Sequence, residues 1–387
     1  MKIVEVKAFP VTVDSPSNGH VGTAGLVGQR SGPGRYARVL PYRTLFSTFA
    51  ETVFVRLRTE DGIVGWGESQ APVANKAVAI LVEELLGPVL LGRDPRDPVV
   101  LRDEMYNSMR DRGHRGGFML DAIAGADMAL WDICGKHYGS SVARLLGGAY
   151  SSEIPVYLSG PRGSSVGERL DDTQGFVELG FKAVKLFIGH GVHQDLAEVR
   201  AFRDRFGPDL KILVDAQWLY SPPDALSLGR ALGELGVEMF ETPINAEDIE
   251  GNAELARSLD VAIALGETER TRWEVMPYLD RRAVDVLQPD VGRSGISETM
   301  RIAFMADLKN VPVALHCGVG FGPYIAATLQ VAAAIPNLVY VEYQPEMQEL
   351  ARDSYGFHLE LKDGSVVLPE APGLGIEAPD SALVPVG

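Results

Sequence analysis

The chain has 387 residues, with 36 Lys and Arg against 52 Asp and Glu, giving a formal net charge of −16. This acidic balance argues against partners that are themselves polyanions, namely nucleic acids and anionic membranes. Its apolar fraction of 46% is enough for a large core, and its length favours two domains, one of which can be a barrel of ~250 residues. We see neither a signal peptide nor a run of ~20 apolar residues, and expect a cytoplasmic protein. Cys134 and Cys317 lie in apolar segments and predict no disulfide.

The N-terminal region alternates strand and helix patterns. Residues 1–13 read as a strand, 51–69 as a hairpin with an Asp-Gly turn, and 73–86 and 98–111 as helices. We therefore assign residues 1–117 to an α+β domain. The segment from Asp14 to Thr48 is polar and rich in Gly, Ser and Pro, and a loop of this length is usually functional. Its His20, Tyr42 and Arg43 are candidate contacts for an anionic, hydroxylated ligand.

Short apolar runs then alternate with helical segments from Ile154 to Gln344. This alternation predicts repeated βα units and a parallel sheet, closed as a (β/α) barrel over residues 118–358 with residues 118–137 as an entry helix. A barrel of this type carries its chemistry at the C-terminal ends of its strands. Residues 359–387 are too short for a domain and are expected to pack back on the N-terminal domain or to cover the barrel.

Three acidic residues, Asp215, Glu241 and Glu267, follow one another at two equal steps of 26 residues, each at the end of an apolar run. Equal steps place three carboxylates at equivalent strand ends, facing one mouth of the barrel. Oxygen ligands of this kind suit a hard divalent cation, Mg²⁺ first. Any single one of them could instead be a helix N-cap or a surface ion pair. The three in register favour the metal site.

Strand alternation also sorts the residues of AVKLFIG, residues 183–189. Val184 and Leu186 should pack against helices, so Lys185 and Phe187 should point into the barrel. An inward lysine beside a metal cation should have a lowered pKa, which would suit it to act as a base or an electrostatic partner. The alternative is a lysine that simply pairs with a neighbouring carboxylate.

Across the mouth, His316 and Asp290 end two neighbouring strands. Asp290 can then bind one ring nitrogen of His316 and raise the basicity of the other, which makes His316 a candidate catalytic base. Glu342 ends the last strand and, if protonated, could donate a hydrogen bond to a developing oxyanion. It could equally form a salt bridge.

The segments ALWDICGKHYG, AVKLF, LVDAQ, FETPI, ALGETE, LQPDVGRSGI, ALHCGVG and VEYQ, in this order, resemble the mandelate racemase subgroup of the enolase superfamily. The resemblance extends over essentially the whole chain. It implies an N-terminal α+β capping domain on a modified (β/α)₇β barrel, with Mg²⁺ held by Asp215, Glu241 and Glu267. It also implies a His316–Asp290 dyad, abstraction of the proton α to the carboxylate of a small-molecule substrate through an enediolate, and a symmetric homo-oligomer.

Two positions depart from the family pattern. Phe187 replaces the second lysine of the Lys-x-Lys strand, which is the base on the other face of the substrate in racemases, and Gln217 stands where the family often has Asn. Loss of that base favours a one-base reaction, dehydration of an acid sugar (aldonate or aldarate) to a 2-keto-3-deoxy acid. A cycloisomerase of a sugar-acid lactone is the alternative, and a racemase or epimerase follows it. A metal-stabilised sugar-acid binding protein is disfavoured because binding alone needs no base.

Overall fold

The computed structural model describes residues 1–14, 29–32 and 34–377. Its N-terminal part consists, in chain order, of β1 (Ile3–Asp14), β2 (Gln29–Arg30), β3 (Tyr36–Leu40), β4 (Leu45–Ser47), β5 (Phe49–Thr59), β6 (Val64–Ser69), α1 (Asn75–Ile80), a π-helical segment (Leu81–Leu86), α2 (Gly87–Leu90) and α3 (Pro98–Arg110). Strands β1, β5 and β6 form an antiparallel sheet in that order. The predicted hairpin and helices are therefore present.

The described part of the long polar segment before the hairpin, residues 29–32 and 34–48, contains strands that the sequence did not predict. Strands β2, β3 and β4 form a small antiparallel sheet there, with Tyr36 opposite Ser47 and Gln29 opposite Leu40. Alternating burial along β3, with Ala37 and Val39 buried between exposed neighbours, gives this ribbon one packed face.

The barrel begins after a long helix and a short one, α4 (Phe118–Tyr138) and α5 (Val142–Leu145). Its eight parallel strands are β7 (Glu153–Ser159), β8 (Ala183–Phe187), β9 (Lys211–Asp215), β10 (Val237–Glu241), β11 (Ala262–Leu265), β12 (Val286–Leu287), β13 (Val313–Leu315) and β14 (Leu338–Tyr343). The helices between and after them are α6 (Val166–Glu178), α7 (Val192–Phe206), α8 (Pro222–Glu234), α9 (Ile249–Ser258), α10 (Arg272–Arg281), α11 (Val291–Leu308), α12 (Pro323–Ala334) and α13 (Pro345–Tyr355). Pairing of β14 with β7 closes the ring, which confirms the predicted barrel with its N-terminal domain.

The C-terminal segment extends the barrel sheet. Strands β15 (Leu361–Lys362) and β16 (Ser365–Val367) form a hairpin, and β16 pairs antiparallel with β7 through Val366 and Ile154. Further along, the Leu374 amide donates to Asp132 of α4 at 2.9 Å.

Two apolar layers hold the barrel together, one inside the ring and one between the strands and the helices. The inner layer consists of Tyr157, Ala183, Leu213, Met239, Ala264, Val286 and Ala314. Val184, Leu186 and Ile188 belong to the outer layer, so alternate residues of β8 point into the ring. This confirms the predicted orientation of Lys185 and Phe187.

No helix in the described ranges is both long and apolar enough to cross a membrane.

Strand β6 attaches the N-terminal domain to the barrel, most closely through Glu68 and Gly67. The Glu68 carboxylate is fully buried and accepts backbone N–H groups of Phe321, Gly322 and Tyr324, at 2.8–3.2 Å, where the β13 loop enters α12. At Gly67 the strand lies so close to α4 that a Cβ atom there would stand 1.9 Å from the Gly125 carbonyl oxygen. Only glycine permits this approach.

Candidate active site

The strand ends bring the predicted acidic residues to one mouth of the barrel. Asp215 and Glu241 are the last residues of β9 and β10 and stand directly opposite each other in register. Glu267 follows β11 by two residues, and Glu342 lies in β14. The equal sequence steps therefore reflect a common height in the barrel, and all four carboxylates are buried.

Lys185 lies among these carboxylates. Its Nζ atom is 3.1 Å from Glu241 Oε2, 3.0 Å from Glu342 Oε1 and 3.7 Å from Asp215 Oδ2, and its side chain is 1% exposed. Burial alone would lower the pKa of Lys185, but the surrounding carboxylates outweigh it and hold the pKa well above its usual value. The sequence predicted a lowered pKa because a bound cation would repel the ammonium; the carboxylates act in the opposite direction, and the effect of a cation stays a prediction.

His316 and Asp290 form the predicted dyad. His316 Nδ1 lies 2.5 Å from Asp290 Oδ2, whose carboxylate is fully buried and also caps α11 by accepting the Arg293 N–H at 3.2 Å. The other ring nitrogen, Nε2, faces the acidic cluster, 3.2 Å from Glu267 Oε2 and 3.5 Å from Glu342 Oε2. Burial lowers the pKa of His316, but the carboxylates of Glu267, Glu342 and Asp290 raise it overall to about 9.

Glu342 differs from the protonated donor that the sequence argument considered. Burial acts to raise its pKa, but Lys185 and His316, with hydrogen bonds from Ser159 Oγ at 2.5 Å and the Cys317 N–H at 3.1 Å, lower it to about 2. Glu342 is therefore a carboxylate here. It forms a salt bridge with Lys185 Nζ at 3.0 Å, which is the alternative that the sequence left open.

The acidic cluster fits a hard divalent cation in its donor atoms and its charge. Burial raises the pKa of Glu241 to about 8, and repulsion from Asp215, Glu267 and Glu342 adds to the rise while Lys185 opposes it. Excess negative charge of this kind is what Mg²⁺ would relieve, and carboxylate oxygens are its preferred ligands. As they stand, no three acidic, His or Cys side chains of the described residues converge on one ion position. Asp215, Glu241 and Glu267 are the side chains that could hold the metal.

A cavity of about 440 Å³ opens above this cluster. Its floor includes Lys185, Asp215, Glu267, His316 and Glu342. Its wall includes Phe187, Gln217, Trp218 and residues 44–47, which are β4 and the residue before it. The Phe187 ring centroid lies 5.3 Å from Lys185 Nζ, so the position that departs from the Lys-x-Lys pattern is an apolar wall. Gln217 Nε2 donates to Asp215 Oδ2 at 2.8 Å and orients that carboxylate.

The three candidates from the N-terminal loop have different outcomes. Tyr42 is buried, with its hydroxyl 3.3 Å from His190 Nε2, and it is not part of the cavity wall. Its ring packs on the barrel because an aromatic side chain in a loop gains more from burial than from projection into solvent. Arg43 is exposed and donates to Asn245 of the cavity rim at 3.4 Å. His20 lies outside the described residues.

Gln70 and Arg293 are among the cavity residues that sequence reasoning missed. Arg293 lies in the first turn of α11, and its Nη1 donates to the Glu267 carbonyl at 2.9 Å while its Nε donates to Gln70 Oε1. The position of Arg293 three residues after Asp290 was a usable signal, since the first turn of a helix folds back over its N-cap. Gln70 offered none, because its partner lies far along the chain in another domain.

The fold and site together define an α+β-capped (β/α) barrel with a cluster of carboxylates opposite a His–Asp dyad. Residues 35–147 match the mandelate racemase / muconate lactonizing enzyme N-terminal domain, and residues 168–382 match the enolase C-terminal domain-like family. The chain belongs to this family and is a mandelate racemase-like member of the enolase superfamily.

Individual relatives agree with this assignment. The chain is 36% identical to D-galactarolactone cycloisomerase of Agrobacterium fabrum over 86% of its length and 90% of that protein. It is 37% identical to arabinonate dehydratase of Saccharolobus solfataricus over 84% of its length and 87% of that protein. A crystal structure of an enolase superfamily member from Agrobacterium tumefaciens superposes with a TM-score of 0.92, at 33% identity, over 100% of this chain and 99% of that one.

Proposed function

We propose that this protein is a Mg²⁺-dependent enzyme that removes the proton α to the carboxylate of an acid sugar and dehydrates it to a 2-keto-3-deoxy acid. The observation that carries the proposal is the asymmetry of the cavity. His316, oriented by Asp290, presents Nε2 on one side, and the phenyl ring of Phe187 replaces a second base. A single base suits elimination, whereas racemisation requires proton transfer on both faces.

The chain's residues divide the reaction between them. Asp215, Glu241 and Glu267 would hold Mg²⁺, which when bound acts as a Lewis acid and favours negative charge on the substrate carboxylate. In its neutral form His316 takes the α-proton on Nε2, and the electron pair of the C–H bond moves toward the carboxylate to give an enediolate. Asp290 stabilises the resulting imidazolium through Nδ1.

Collapse of the enediolate forms a carbon–carbon double bond and breaks the β-carbon–oxygen bond. The His316 imidazolium returns its proton to the departing hydroxyl, which leaves as water, and the enol product tautomerises to the 2-keto acid. Because one imidazole removes and returns the proton, both groups leave from the same face of the substrate. The apolar Phe187 wall offers no competing proton acceptor on the other side.

A cycloisomerase of a sugar-acid lactone is the second candidate. It would use the same proton abstraction but expel a ring oxygen, and identity of 36% to a galactarolactone cycloisomerase supports it. Both activities need the same base and the same carboxylates, so the substrate decides between them.

The test is to incubate the protein with Mg²⁺ and a panel of aldonates, aldarates and their lactones in deuterated water, and to follow products by NMR. A 2-keto-3-deoxy product from an open-chain acid supports the dehydratase, and product from lactones alone supports the cycloisomerase. His316→Asn is the matched control and should lose turnover while still binding substrate. Binding without elimination or deuterium exchange across the panel would refute an enzyme of this class.

A further inference from the structure

Arg293 joins three parts of the site through one guanidinium. Its Nη1 donates to the backbone carbonyl of Glu267 at 2.9 Å, and its Nε donates to the side chain of Gln70. The same Nε lies 3.8 Å from Asp290 Oδ2, the oxygen that binds His316. Arg293 therefore contacts the backbone of a proposed metal ligand and the carboxylate that orients the proposed base.

Gln70 reaches this point from the N-terminal domain. It follows β6, is 4% exposed, and its backbone N–H donates to the Gly292 carbonyl at 3.0 Å. Because Arg293 offers only N–H donors, the Gln70 amide must present its oxygen to Arg293, and its nitrogen then points the other way. That nitrogen packs on Gly318, where a Cβ atom would stand 2.0 Å from it.

We propose that Arg293 is a positioning residue that holds Asp290 and Glu267 in their working geometry, and that Gln70 acts by orienting Arg293. Through Gln70 and Arg293 the N-terminal domain thereby influences the geometry of the Asp290–His316 dyad, in addition to lining the cavity. The effect on turnover rests on the proposed function. The effect on the dyad does not.

The physical reason is the shape of the guanidinium. A planar fork can point separate N–H groups at the Glu267 carbonyl and the Gln70 amide while its charge faces Asp290, whereas a lysine ammonium is a single point charge. Loss of the fork leaves acceptors without partners in a largely buried site. A displacement of about 1 Å in a catalytic group can reduce the rate by about 100-fold.

Kinetics of a double-mutant cycle test the proposal. We expect Arg293→Met and Gln70→Ala each to lower kcat by roughly 10- to 100-fold with KM nearly unchanged. Because Gln70 acts through Arg293, the double variant should resemble Arg293→Met within about threefold. Arg293→Lys should recover only part of the rate. Additive losses, or a raised KM with unchanged kcat, would refute a positioning role.

The control is Arg301→Met. Arg301 lies on the same helix and ties it to α3 through Asp103 at 2.7 and 2.9 Å, but it does not line the cavity. Its loss weakens the contact between the domains without touching the dyad, so kcat should stay within about twofold of the unsubstituted protein. An equal fall in kcat for Arg301→Met would mean that domain docking in general, and not Arg293, sets the rate.

A second readout needs no substrate. With Nδ1 only 2.5 Å from Asp290 Oδ2, the proton between them should give a far-downfield NMR signal. We expect this signal to shift upfield or broaden in Arg293→Met and in Gln70→Ala, and to persist in Arg301→Met. An unchanged signal in Arg293→Met, or none in the unsubstituted protein, would overturn the inference. If no compound of the sugar-acid panel is turned over, the proposed function is refuted. The NMR comparison would still decide whether Arg293 positions the dyad.

Discussion

Replacing Phe187 with lysine tests whether the apolar wall confines proton transfer to one side of the cavity. The ring centroid lies 5.3 Å from Lys185 Nζ, so a new ammonium there would face another positive charge at a similar distance. At an effective dielectric constant of about 20, their repulsion is about 3 kcal/mol. Asp215, the register partner of Phe187, offsets part of it. Because carboxylates already stabilise the charge of Lys185, the repulsion should lower the pKa of the lysine introduced at position 187. A lowered pKa would allow that lysine to act as a base.

The assay is deuterium incorporation at the substrate α-carbon, followed by NMR over a pH series. Phe187→Lys should gain exchange and epimer formation, rising with pH as the neutral amine forms, while Phe187→Met, which keeps the wall apolar, should gain neither. Dehydration should persist at a reduced rate. Loss of Mg²⁺ binding in Phe187→Lys, or intact dehydration with no exchange at any pH, would refute the placement of this side chain against the substrate.

Three further predictions concern the fold and the metal. Gly67→Ala should lower the free energy of unfolding by about 1–3 kcal/mol, because the new Cβ clashes with α4. Gly87→Ala is the control and should not lower it, since a Cβ there has its nearest atom at 3.9 Å. Equal denaturation midpoints for the two variants would contradict this prediction. Lys185→Met should lower the free energy of unfolding by ~3–5 kcal/mol when a chelator keeps the protein free of metal, because the buried carboxylates of Glu241 and Glu342 lose their cation. An unchanged thermal midpoint would contradict this stabilising role of Lys185. Mg²⁺ at 100 times its Kd should stabilise the protein by about 2.7 kcal/mol, an effect that Glu241→Gln should reduce and that calorimetric titration measures directly.

The features that the sequence predicted correctly follow from a regular repeat in the chain, either the βα unit or the two-residue alternation of a strand. Equal steps between Asp215, Glu241 and Glu267 reflect one βα repeat each, so they translate directly into strand ends at a common height. Alternation along β8 likewise assigned Lys185 and Phe187 to the inside of the ring, because successive strand residues point to opposite faces.

The features that the sequence did not predict depend on many distant neighbours. The pKa of Lys185 is set by carboxylates from several strands, and that of Glu342 by Lys185, His316 and two hydrogen bonds, a sum that spacing does not reveal. Tyr42 was assigned to the cavity on its residue type, although burial against the barrel decided its place. The contact between Gln70 and Arg293 joins two domains and has no local sequence signal.

Glu68 has a consequence for how this protein can change over evolution. The backbone N–H groups of Phe321, Gly322 and Tyr324 lie where the loop that continues from His316 enters α12, and a side chain of the other domain accepts them. A buried donor left without a partner costs about 1–3 kcal/mol, so a barrel inherited without Glu68 would lose the acceptor of three N–H groups beside its base. The two domains are thus separate in architecture but not interchangeable as modules.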